Sequence, residues 1–172
     1  LQLVLGWRRH LLLHAAHVER DGKALILTGE SGSGKSTLSA LLSARGWRFM
    51  GDELALLDMD SGAIHPFPRL ISVKNSAIPV VEAAVPGLRR GARLEGTPKG
   101  AIRHFVPPAD AVARMGEAAR PALIVFPTFG QSAAVRQMAA SETFVRLTQA
   151  STNYVALGEP GFAALTRLVQ TV

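Results

Sequence analysis

Cysteine is absent from the 172 residues. That excludes a disulfide scaffold and any thiolate metal site, and it favours a reducing compartment, taken here as cytoplasmic. No apolar run approaches the ~20 residues of a bilayer span, so no membrane partner is expected. Leu1–Leu5 is apolar, but Arg8, Arg9 and His10 follow it, which is not the pattern of a signal peptide. Aromatic residues are few, at 6%, and nowhere interleave with basic ones. With no zinc or recognition-helix pattern either, no nucleic-acid partner is expected. Acidic residues are scarce in the later part of the chain. Residues 61–172 carry twelve Lys/Arg against six Asp/Glu, whereas residues 1–60 carry seven of each, so the net charge of +6 lies wholly after residue 60. Fifteen of the nineteen basic residues are Arg, which suits bidentate contact with phosphate or carboxylate as well as a plain solvated surface. Repeats and low-complexity segments are lacking too.

What is present is 48% apolar residues, enough for one domain with a real core over residues 1–172. The first residue is Leu and the last stretch, Phe162 to Val172, reads as a helix cut short, so the domain is expected to be excised from a longer chain. Its centre is Gly29-Glu30-Ser31-Gly32-Ser33-Gly34-Lys35-Ser36-Thr37. The spacing is G-x-x-x-x-G-K-[ST], between an apolar run, Ala24–Thr28, and a helix-like one starting at Leu38. The glycines let backbone N–H groups converge on phosphate oxygens, and the helix aims its positive end at them. Lys35 supplies a point charge for the outer phosphates, and the Ser36 hydroxyl is a ligand for Mg²⁺.

Arg20-Asp21-Gly22-Lys23 predicts a two-residue hairpin turn after a single strand over Leu11–Glu19. Residue 20 then faces residue 23, and His14 falls opposite Gly29, an imidazole beside the phosphates. After the loop a helix to Arg45, ended by Gly46, carries the chain about 15 Å away, and five extended residues, starting with the strand Trp47–Met50, bring it about 16 Å back. That returns Asp52 and Glu53 to the level of the loop, where they are candidates for metal binding and proton abstraction. Asp58 ends a Walker-B-like apolar run, but Asp60-Ser61-Gly62 turns directly behind it, so it reads as a turn residue. Pro86–Lys99, with Arg89, Arg90 and Arg93, reads as a mobile loop. Pro121–Pro127 reads as a central strand with no acid at its end, Ala133–Met138 as a further strand, and Ser141 as the cap of a helix through Ala150.

His14, the loop, and Arg45-Gly46-Trp47-Arg48-Phe49-Met50-Gly51-Asp52-Glu53 resemble the catalytic domain of HPr kinase/phosphorylase over residues 10–53. Ser72-Val73-Lys74-Asn75, Thr97-Pro98-Lys99-Gly100, Val106-Pro107-Pro108, Ile124-Val125-Phe126-Pro127 and Asn153-Tyr154 resemble its offshoot, HPr-kinase-related kinase A. The resemblance implies an α/β, phosphoenolpyruvate-carboxykinase-like P-loop fold with a mixed sheet and flanking helices. It implies an ATP- and Mg²⁺-dependent kinase acting on a serine of a protein or peptide. Asp52 would be the base, Lys35 and Ser36 would hold phosphate and metal, and His14 would line the phosphate site. Glu53 stands where that family has a second Asp. The family's R-G-x-G-I-I-N signature is missing, which argues against a phosphorylase reaction and against HPr as acceptor.

The residues by themselves leave three readings open: a kinase, a nucleotide-dependent switch with no acceptor, and a small-molecule kinase of the same fold. The acceptor, an acidic peptide among the options, and the oligomeric state, a homo-oligomer among the options, stay open as well.

Overall fold

The computed structural model describes residues 8–130 and 134–172; the apolar Leu1–Leu5 lies outside them. Asp21 and Gly22 both take positive φ, 53° and 75°, as a two-residue hairpin turn matched to strand twist demands. The turn joins β2 (Ala15–Arg20) to β3 (Lys23–Thr28), pairing Arg20 with Lys23 and Ala15 with Thr28. This is the expected register. The sheet has the order β10-β3-β2-β4, with β4 (Arg48–Gly51) antiparallel to β2 and β10 (Arg120–Val125) parallel to β3. β4 therefore runs in the direction of β3, and helix α1 (Lys35–Ser43) makes the connection across the sheet. Both faces of this sheet are covered. Ala24 and Ile26 of β3 join one core, with Leu11, Met50, Leu147 and Leu165, while Leu25 and Leu27 join another, with Val18, Phe49, Ile71 and Phe105.

Several expectations are corrected. The stretch over 11–19 is two strands, β1 (His10–Leu13) and β2, broken at His14. Leu11, Leu12, Leu13, Ala15 and Ala16 are all fully buried, so the run does not alternate, and the break falls where an exposed polar residue emerges. β1 enters a second sheet of order β1-β5-β6 with β5 (Ala55–Asp58) and β6 (Ile64–His65). The supposed mobile loop contains β8 (Arg90–Thr97), an exposed strand in a third sheet of order β7-β9-β8 with β7 (Ile71–Lys74) and β9 (Gly100–Phe105). The glycines there serve a hairpin: Gly96 and Gly100 take φ of 67° and 82° on either side of the turn. The hairpin's arginines are largely internally paired, Arg93 with Glu95 and Arg90 and Arg103 with Glu82.

β10 lies at an edge of its sheet, not its centre, and Leu123 is 54% exposed. Its run is apolar because Ile124 and Phe126 pack on one core and Val125 on the other. Residues 134–139 form no strand, and residue 133 lies outside the described residues. Ser141 sits inside its helix, α4 (Ala140–Ala150), whose N-cap is Ala139. The other helices are α2 (Ala77–Ala84), α3 (Ala109–Ala113), α5 (Tyr154–Leu157) and α6 (Glu159–Thr171). Among the described residues, no helix is long and apolar enough to cross a membrane.

Two features pin β4 to β2. At one end the buried Arg48 Nε donates to Glu19 at 2.6 Å, and its other nitrogens donate to the carbonyls of Arg114 and Glu117, each at 3.0 Å. Glu19 also accepts the Gly22 amide at 2.6 Å. Burial alone would raise the Glu19 carboxyl, but Arg48 and that amide outweigh it and hold it below the usual range. At the other end Gly51 packs on His17: a Cβ on Gly51 would lie 2.6 Å from His17 Cε1 and 2.9 Å from the Phe67 carbonyl oxygen. The glycine is there for close approach.

His17 is fully buried, and burial, aided by Arg48 and opposed by the His65 carbonyl, pushes its pKa from 6.5 down to about 4. Above pH 6.5 neither the folded nor the unfolded chain holds this proton. Below it the unfolded chain binds first, so stability is complete above about pH 6.5 and is lost as pH falls toward 4. The expected loss is about 3 kcal/mol. Urea denaturation across that range should show a smaller pH slope for His17→Gln; an unchanged slope would contradict the buried neutral imidazole.

Candidate functional site

The glycine-rich loop leaves the end of β3, where Thr28 Oγ1 donates to the His14 carbonyl at 3.1 Å. Gly29, Gly32 and Gly34 take φ of 143°, 87° and 101°. A Cβ on Gly32 or Gly34 would touch nothing, so glycine is required there by the backbone. The buried Lys35 bends back over the loop: its Nζ donates to the carbonyls of Gly29 at 2.7 Å and Glu30 at 2.8 Å. This holds the loop curved and leaves the third ammonium proton free. Gly34 caps α1 without a side-chain bond, so the first-turn N–H groups of the helix remain available to an anion. Ser33 Oγ is buried and has no hydrogen-bond partner among the described residues.

Asp52 follows β4 and is 8% exposed. Its Oδ2 accepts the Ser72 amide at 3.0 Å, while Oδ1 is buried and makes no well-formed hydrogen bond among the described residues. Burial pushes its pKa up to about 6, with repulsion from Glu53 in the same direction; the Ser36 hydroxyl, the Ser72 amide and Lys35 pull the other way. Burial likewise lowers Lys35, as does the charge of Lys74, and Asp52 opposes them. Lys35, Ser36 and Asp52 are thus one electrostatic group. His14 borders it. Partial burial and the Lys35 charge lower its imidazole, and the Glu53 carbonyl acts against them. The position matches the hairpin register, one step past the Ala15–Thr28 pair.

Glu53 is placed differently from Asp52. Its exposed carboxylate forms an ion pair with Arg69, so only its backbone and its field reach the others. Glu30, Ser31 and Gly32 form the exposed rim of the loop, while Ser33, Ser36 and Thr37 are half-buried. Asp58 is a turn residue, as read. It accepts the amides of Asp60 and Ser61 at 3.1 and 2.8 Å, the Ser61 hydroxyl at 2.8 Å and Arg9 Nε at 3.2 Å. The Ser61 amide is the leading reason its carboxyl stays well below the usual range.

Two residues at the site, Ser72 and Lys74, entered the sequence comparison only within the Ser72-Val73-Lys74-Asn75 motif, with no site role. Ser72 holds Asp52, and its hydroxyl lies 3.1 Å from His104 Nδ1. Lys74, at the end of the same strand, acts on both Lys35 and His14. Strand alternation puts Ser72 and Lys74 on one face, a usable signal, but nothing local says that β7 ends beside the loop.

The architecture is mixed α/β, several sheets with a few helices, and the site is a glycine-rich loop closed by a lysine next to a buried carboxylate. The chain matches the family of SynChlorMet cassette protein ScmC over residues 4–119, and it belongs to that family. No curated protein matches it. The expected membership of the HPr kinase/phosphorylase family, or of its kinase A offshoot, is therefore wrong, and no kinase family matches.

Asp52 gives this site a stability signature. Its pKa is raised from 3.8 to about 6, so its burial costs nothing below the lower value and its full penalty above the higher one. Asp52→Asn, which keeps the acceptor for the Ser72 amide, should stabilise the ligand-free protein by up to about 3 kcal/mol at pH 8. The gain should vanish by pH 4. Urea curves at both pH values test this, and a variant less stable than wild type at pH 8 would refute it.

Proposed function

We propose that this chain is an ATP-dependent phosphotransferase with a phosphoenolpyruvate-carboxykinase-like P-loop fold, transferring the terminal phosphoryl group to a serine hydroxyl of a protein or peptide. One observation carries the reading: a buried carboxylate with an unpartnered oxygen stands beside Ser36 and Lys35 at the mouth of the glycine-rich loop. The position of the acid supports the fold assignment. It follows the strand after the loop helix, while β10 leads to Phe126-Pro127 with no acid.

The residues fit a magnesium–triphosphate. The loop glycines and the free N–H groups of α1 suit phosphate oxygens, and the Ser36 hydroxyl and Asp52 Oδ1 are the hard oxygen ligands that Mg²⁺ takes. When bound, Mg²⁺ supplies charge neutralisation at the phosphates. The remaining work falls to the chain. Lys35 directs its third proton to the phosphates. Asp52 orients the acceptor hydroxyl and takes its proton as the new O–P bond forms and the bond to the ADP oxygen breaks. In the ligand-free protein the Asp52 pKa lies near 6, so its carboxylate is ionised at neutral pH and able to accept a proton. His14 and Lys74 add positive or polar edges around the transferred group.

The family's name speaks of a cassette, so the other proteins of that cassette are the first acceptors to try with labelled ATP. Label should appear on serine. Lys35→Ala should abolish transfer and weaken ATP binding by calorimetry. Asp52→Asn should lower single-turnover transfer about 10²-fold or more while ATP still binds. Hydrolysis without transfer to any acceptor would sink the kinase reading in favour of a switch. Full-rate transfer by the Asp52 variant would remove it as the base.

A further inference from the structure

A second polar cluster lies away from the glycine-rich loop, on the sheet β1-β5-β6. His10 pairs directly with Asp58 across β1 and β5, and His65 of β6 pairs with Leu56, two residues before Asp58. Paired positions and residues two apart share a face. His10, Asp58 and His65 therefore project from three adjacent strands to the same side, and their ligand atoms all lie within 4.8 Å of one another. Among the described residues no other group of three His, Cys, Asp or Glu converges in this way.

The cluster is not built like an ordinary structural network. The two imidazoles meet edge to face with centroids 5.4 Å apart. His10 Nε2 stands 3.8 Å from Asp58 Oδ2, too far for a hydrogen bond, and among the described residues the buried His10 Nδ1 has no partner. A buried ring nitrogen without a hydrogen bond is costly unless something else uses it. Asp58 Oδ1 is committed to the Asp60–Ser61 turn, but among the described residues Oδ2 accepts a hydrogen bond from Arg9 alone, whose side chain is 70% exposed and can swing away.

We infer that His10, Asp58 and His65 form a binding site for a divalent transition cation of the Zn²⁺ type. Two imidazoles and one carboxylate are the borderline donors such an ion selects, and Mg²⁺ does not. Ligand atoms around a tetrahedral Zn²⁺ stand about 3.4 Å apart, so side-chain rotation must draw the group together by an ångström or so. The cation takes the place of the Arg9 guanidinium on Oδ2, and the fourth position faces the side that Arg9 leaves. The ion ties three strands together, at the opposite end of β1 from His14.

The test titrates Co²⁺ and Zn²⁺ into the tag-free full chain with Mg²⁺ in excess, reading calorimetry and the visible ligand-field band of Co²⁺. One ion per chain should bind. His65→Gln and His10→Gln should each weaken binding at least tenfold, with folding checked by circular dichroism. Arg9→Ala should tighten binding, because it removes the competing charge, and Asp52→Asn should leave it unchanged. No saturable binding by wild type would overturn the site. So would wild-type affinity in folded His65→Gln, a half-buried position that decides the matter even if His10→Gln does not fold. Loss of binding in Asp52→Asn would place the ion at the glycine-rich loop and equally refute the inference.

Discussion

Asp21 and Gly22, both in the left-handed region, lock β2 against β3, and the candidate site is measured from that ladder. A slip of one residue would carry His14 away from Gly29 and exchange the two faces of β2, turning His17 and Ala15 into the core that Val18 and Ala16 now fill. β2 is also the strand on which β4 docks. The ladder that sets His14 therefore sets the end of β4, and with it Asp52. The Glu19–Arg48 ion pair holds the far end of that docking and the Gly51–His17 contact the near end. Few other positions in the chain are so over-determined.

Buried charges in this protein fall into two kinds. Arg48 is fully satisfied: a carboxylate and two carbonyls take its protons. Asp58 is buried too, yet amides, a hydroxyl and a guanidinium keep its carboxyl low. Asp52 is buried with the Ser72 amide, the nearby Ser36 hydroxyl and, among the described residues, one oxygen without a well-formed hydrogen bond, and its carboxyl is raised. A folded chain gains nothing from an arrangement of that sort, because an unpaired buried oxygen is all cost. Strongly perturbed groups in such settings mark sites where something else completes the coordination.

What could be read from the sequence was what depends on short stretches of chain. The loop spacing, the Asp-Gly turn and the out-and-back lengths from Lys35 to Asp52 each involve fewer than about twenty residues and standard element dimensions. What could not be read depends on distant partners. The break at His14 is invisible because residues on both sides of it are fully buried, so no alternation marks where one strand passes to another sheet. β8 looked like a loop because its glycines and arginines are exposed, and only pairing with β9 makes it a strand. β10 looked central because Pro121–Pro127 is apolar throughout, which says nothing about its edge. Lys74 and Ser72 reach the site only through the packing of the third sheet beside α1.

The ScmC match covers residues 4–119, which includes the loop, Asp52, Ser72, Lys74 and His104. The remaining stretch is not a passive appendage. Asn153 accepts the Leu12 amide and donates to the His10 carbonyl, both at 2.9 Å, and the His14 amide donates to the Ala150 carbonyl at 2.7 Å. These bonds grip β1 along its length and fix the residue that borders the glycine-rich loop. Leu147, Leu165 and Leu168 cover the same core that β1 lines. The chemistry-bearing side chains thus come from the family's stretch, but the position of His14 is set jointly with the segment after it. Family membership and loop chemistry are then separate statements about the molecule: one rests on a stretch of sequence, the other on a geometry that two parts of the chain build together.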